Sequence, residues 1–228
     1  MKRGTGLAGL IAFVSLAGCL QAPTGSETPD EPGEPATGGF FANLFPASAA
    51  ATPERPTPLA RTEMARGEVV VAGPEGYCVD PVTLGNRPGR GFAVIASCHI
   101  LSGGKTGNFV EPMMMTVTVG PRQDAVLLPA PSVLAVQAGQ ELIGGETRDG
   151  LVMAQLGGGG TDVLDDGDPR YWRGAFVQNG HLIGLALYAP QDSFLAGSDG
   201  AGMLRAVQQR IAALSPVASE AEEAPAEP

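Results

Sequence analysis

Histidine and positive charge are both scarce in this sequence, and each shortage excludes a class of function. Two histidines in 228 residues leave a zinc centre short of soft ligands, because such sites draw on several His or Cys side chains at close spacing. Fourteen Lys and Arg stand against 24 Asp and Glu, a formal charge of −10. A nucleic-acid binder needs a cationic face to displace counterions from phosphates, so no nucleic-acid partner is expected. Aromatic residues are few, at 5 %. Glycine (33) and proline (20) are plentiful instead, approaching the composition of chains that do not pack throughout. The length suits one domain of ordinary size plus appendages.

Long hydrophobic runs are also missing. The apolar stretch from Leu7 to Ala17 is too short for the roughly 20 residues that a helix needs to cross about 30 Å of hydrocarbon. Preceded by Met1-Lys2-Arg3, it fits the apolar region of a secretory signal. The segment Leu16-Ala17-Gly18-Cys19 that closes it resembles the lipobox of bacterial lipoproteins. That resemblance implies a signal peptide over residues 1–18, cleavage before Cys19, and acylation of Cys19 with palmitate-type chains. Such chains hold a protein at a membrane at about 0.8 kcal/mol per buried CH₂. Leu20, where some family members carry Asp, implies the periplasmic face of the outer membrane in a Gram-negative cell.

With Cys19 lipidated, Cys78 and Cys98 are an even pair in an oxidising compartment, and a disulfide between them is expected. It would close a loop of about 20 residues and contribute on the order of 3 kcal/mol. The apolar settings Gly-Tyr-Cys-Val and Ala-Ser-Cys-His also suit buried free thiols.

Residues 19–60 read as a tether. Eight prolines fall between Leu20 and Leu59, with almost no apolar periodicity, so a flexible coil reaching roughly 30–40 Å is expected. One apolar island interrupts it. Phe41, Leu44 and Phe45 stand at i, i+3 and i+4, with Phe40 beside them and Pro46 after. One helical turn would gather them on a side as a candidate patch that docks on an envelope protein, lies in lipid headgroups or folds back onto the chain's own domain. Residues 215–228 carry four Glu and no base and read as a solvated acidic tail. The globular part is therefore residues 61–214.

Within it, short strands are expected at Glu68–Val71 and Tyr77–Val79, with longer ones at Phe92–Leu101 and Met113–Val119. Ser132 is placed to cap a helix carrying Val133, Leu134, Val136 and Leu142. Leu151–Leu156 reads as a buried strand. Tyr171–Val177 and His181–Tyr188 flank Asn179-Gly180, the strongest short hairpin signal. Leu204, Val207, Ile211 and Leu214 recur at helical spacing behind Ser198-Asp199, and Pro216 stops the pattern. The sum is an α+β fold: an antiparallel sheet covered by helices, ending in a hairpin and a helix.

Candidate chemistry is thin. Asp162, Asp165, Asp166 and Asp168 lack the EF-hand spacing, since Leu164 stands at the second ligand position. No G-x-S-x-G occurs. In a strand, Cys98 and His99 would point to opposite faces, and a disulfide would remove the thiolate. His99 is then a structural residue, and His181, just after the turn, is expected to face solvent. Ser102–Gly107 lacks the phosphate-loop spacing and leads into no helix. Tyr171-Trp172-Arg173 offers an aromatic and cation cluster that would face a ligand, but the commoner arrangement, and the one expected, is a core Trp172 with Arg173 beside it at the surface. No cofactor is expected.

Two further resemblances bear on the domain. Pro74–Pro81, with Arg173–Tyr188 and the helix to Leu214, is similar to the opening strand and closing elements of the PsbP-like family of extracytoplasmic α/β/α sandwich proteins. That implies an accessory or assembly role without catalytic residues. Ala96-Ser97-Cys98-His99 and Gly174–Leu187 resemble segments of trypsin-like proteases. There the order of Cys and His is reversed, and Gly-Ala-Phe stands where Gly-Asp-Ser-Gly belongs, which implies an inactive relative. The function expected is a lipid-anchored periplasmic accessory or binding protein without catalytic machinery. The alternative is a hydrolase centred on His99, with Asp80 or Asp124 orienting it.

Overall fold

A computed structural model describes residues 55–87 and 90–217. The order along the chain is β1 (Thr62–Met64), β2 (Val69–Val71), β3 (Tyr77–Val79), β4 (Gly85–Arg87), β5 (Arg90–Ser97), α1 (Cys98–Leu101) and β6 (Met114–Arg122). Then come α2 (Pro131–Ala138), β7 (Leu142–Arg148), β8 (Leu151–Leu156), β9 (Tyr171–Gln178), β10 (His181–Tyr188) and α3 (Asp199–Leu214). The main sheet is antiparallel with strand order β3-β5-β6-β10-β9-β8-β7, and β4 also pairs with β5. β1 and β2 form a separate hairpin. The architecture is the expected one: an antiparallel sheet with helices on it, closing on a hairpin and a helix.

Alternation along the strands builds two apolar faces. Ile95, Met115, Val117, Ile183, Leu187 and Phe176 point to one side and are fully buried. α3 covers that side with Leu204, Val207 and Ile211, also fully buried, each contributing about 1.5–3 kcal/mol by leaving water. On the other side Val152, Ala154, Leu156 and Tyr171 pack against Leu134 and Ala135 of α2. Trp172 reaches across to the start of α3, its indole N–H donating to the Gly197 carbonyl at 2.8 Å. Gly200 has to be glycine there, because a Cβ would lie 2.3 Å from the Trp172 ring and from the Leu195 carbonyl.

The turn between β9 and β10 follows the sequence chemistry directly. Asn179 and Gly180 both take positive φ, 51° and 77°, as a two-residue hairpin turn of type I′ requires.

Three local expectations need correction. The strand starting near Phe92 ends at Ser97, and residues 98–101 form the single-turn helix α1, where the Ser97 side chain accepts from the Ile100 N–H. That cap offers the backbone a helical alternative to the ladder. α2 ends at Gly139, which takes a left-handed φ of 66° as its cap. Leu142, expected on that helix, opens β7 instead. His181 is buried rather than solvent-facing, for reasons given below.

The fold also extends slightly beyond 61–214. Leu59 exchanges backbone hydrogen bonds with Val79 at 2.9 and 2.8 Å, and the buried Ser215 hydroxyl accepts from the Val70 N–H at 3.0 Å. Among the described residues, no helix is long and apolar enough to cross a membrane.

Candidate functional site

Cys78 on β3 and Cys98 at the start of α1 are joined, with S–S 2.03 Å and Cα–Cα 4.9 Å. Their positions follow from the register. Cys78 lies opposite Ala96 on β5, and the turn into α1 brings Cys98 back over the end of β3. This resolves the alternative of two free thiols in favour of the disulfide. Cys19 and the island residues Phe40, Phe41, Leu44 and Phe45 lie outside the described residues.

His99 packs its ring on Phe109, centroids 4.1 Å apart, and Phe109 is 88 % exposed. Ser102 bonds to the His99 carbonyl, not to its ring. The Asp80 carboxylate accepts from the Val82 N–H at 3.0 Å, within its own turn. Ser193 donates to Glu111 at 2.6 Å, so a hydroxyl and a carboxylate do meet here, yet neither bonds to the His99 imidazole. Tyr77 donates to the Glu111 carbonyl at 2.7 Å. Burial, and then the Glu111 charge, push its phenol up to about 12.

The acidic run does not converge. Asp168 is buried and held by Arg170 in a two-pronged contact, 2.9 and 2.7 Å. The Arg170 hydrogen bonds hold its carboxyl below the usual range against the opposing effect of burial. Asp162, Asp165 and Asp166 stay exposed, and among the described residues no group of three or more His, Cys, Asp or Glu could hold a metal ion.

The opposite end of the sheet holds a polar network absent from the expected sites. His181 is 3 % exposed. Its Nδ1 lies 2.8 Å from the Gly120 carbonyl and its Nε2 lies 2.8 Å from the Glu68 carboxylate. Glu68 also pairs with Arg122. Asn179 of the hairpin turn donates to the carbonyls of Glu68 and Pro216. The network therefore ties the β1–β2 hairpin and the end of α3 to the β9–β10 turn.

A third grouping lies on the sheet face opposite α3. Tyr171 and Tyr188 stack, centroids 5.0 Å apart and planes 12° apart. Arg173, two residues beyond Tyr171 and therefore on the same face, acts electrostatically on both phenols. The expected pairing of a core Trp172 with a more exposed Arg173 is what the structure has, but Arg173 faces a tyrosine pair rather than open solvent alone. No protein family, curated protein or solved structure matches the chain.

Proposed function

We propose that this chain is a lipid-anchored accessory or binding protein of the bacterial cell envelope, moored by acyl chains on Cys19 and working through a non-catalytic domain. The observation that carries the reading is the Cys78–Cys98 disulfide. A bonded pair points to an oxidising compartment, and the segment Leu16–Cys19 that resembles a lipobox supplies a route there and a means of staying at the membrane. The PsbP-like resemblance agrees with an accessory role. The hydrolase alternative gains no support from the site geometry, since the His99 ring meets Phe109 and not a hydroxyl or a carboxylate.

The test is fractionation. The native chain is expected in the membrane fraction, with a mature N-terminus at Cys19. Cys19→Ser is expected to leave that fraction or to stay uncleaved. Processing that ignores an inhibitor of the lipoprotein signal peptidase would overturn the anchor. Cross-linking of the anchored protein, repeated with Phe40, Phe41 and Phe45 changed to Ser, asks whether the island docks on an envelope partner; identical partners would remove it as a docking site.

A further inference from the structure

Three polar groups on the sheet face opposite α3 have no hydrogen-bond or ion-pair partner among the described residues: the Tyr171 and Tyr188 hydroxyls and the Arg173 guanidinium. They stand together. The two rings are stacked, and Arg173 is close enough for its charge to act on both. Across the sheet Arg173 faces Ala154 on β8 and Ala186 on β10, and beyond Ala186 lies Thr116 on β6. Small side chains therefore flank the one cation of this strip. A half-buried guanidinium with no partner among the described residues leaves its forked donors open to an incoming anion, and they match a carboxylate or phosphate in two parallel bonds.

Charge decides between those anions. Among the described residues of the strip Arg173 is the one cation, and Asp162 acts electrostatically on Tyr171. With Asp162 set against Arg173, a dianionic phosphate brings about twice the uncompensated negative charge of a monocarboxylate, so repulsion favours the monocarboxylate. We infer that this strip binds a small monocarboxylate with a planar apolar part, the carboxylate on Arg173 with the two phenol hydroxyls donating to it, and the flat part against Tyr188. Tyr188 is the half-buried member of the stack and Tyr171 the buried one, so the outer ring supplies the surface. Convergent polar groups beside aromatic walls are the usual make-up of a small-molecule site. The inference gives the binding role proposed above a ligand class, and its test reads Arg173 rather than Cys19, so either can fail without the other.

The experiment titrates the isotopically labelled full chain, in detergent, with benzoate, its neutral analogue benzamide, and inorganic phosphate, following the Arg173 side-chain N–H and the Tyr171 and Tyr188 ring signals. Benzoate is expected to give a saturating shift at all three residues, with benzamide and phosphate at least tenfold weaker, since the bond lost is charge-assisted. Arg173→Gln is expected to weaken benzoate about tenfold or more, and Asp162→Asn to strengthen it. Equal binding of benzoate and benzamide by the native chain would overturn the proposal, and so would the absence of any saturating shift; neither result depends on a variant folding.

Discussion

His181 has an acceptor at each ring nitrogen, so its protons are constrained by its neighbours. Nδ1 faces the Gly120 carbonyl, which only accepts, and therefore carries a proton. Nε2 faces the Glu68 carboxylate. That carboxyl is held below its ordinary value of 4.5, first by the hydrogen bond with His181 and then by Arg122. A depressed carboxyl stabilises the fold above its unfolded value, and the contribution is lost as pH falls through the folded one. Denaturant titrations from pH 7 down to pH 3 are therefore expected to show stability falling once pH passes below about 4.5, with a smaller fall in Glu68→Gln. His181→Leu leaves the part-buried Gly120 carbonyl without its donor and is expected to cost about 1 kcal/mol or more at pH 7, read as a lower denaturation midpoint. None of this was legible in the sequence. A histidine just after Asn-Gly reads as solvated, and the carboxylate that buries it lies 113 residues away, beyond any local pattern. The pairing of Arg173 with the tyrosines was half legible: alternation puts Arg173 and Tyr171 on one face, but only the β9–β10 register brings Tyr188 beside them.

The elements that read clearly were those whose pattern is long enough to have one solution. β9, its Asn-Gly turn and β10 form a complete hairpin signal, and the stripe of α3 repeats over about three turns. Short apolar runs were ambiguous. Ile100 and Leu101 continue the apolar run of β5, yet the Ser97 cap turns them into α1; Leu142 fits the spacing of α2, yet Gly139 ends that helix first. β3 and α1 are only three and four residues long, too short to hold their shape unaided, so the Cys78–Cys98 link matters most there. Closing a 20-residue separation is expected to contribute about 3 kcal/mol. Calorimetry of Cys78→Ser against the oxidised native protein should then show a loss of roughly 6–12 °C in Tm, and reduced native protein should melt with the variant. An element without a staple gives the contrast. Ile211→Ala empties a fully buried position beneath α3 and is expected to cost about 2–5 kcal/mol in both redox states.

At the scale of the whole molecule, the proposed address and the fold depend on each other. More of the net negative charge lies outside the globular part than in it: residues 61–214 hold 15 acids and 11 bases, leaving nine acids and three bases elsewhere. A chain of net charge −10 gains nothing from an anionic membrane surface, so attachment has to come from apolar chains rather than from charge. Under the same proposal, the disulfide would form on the oxidising side of that membrane. Both requirements meet in the three cysteines, which can be counted in one measurement. After denaturation without reductant, a thiol-specific mass tag should add no label to the native chain, because lipid occupies Cys19 and the bond occupies Cys78 and Cys98. Deleting residues 2–18 removes the export signal; the chain then stays in the reducing cytosol, and all three cysteines should label. One label on the native chain would mean a disulfide without lipid and would sink the anchor. Two labels would mean lipid without a disulfide and would sink the argument from compartment.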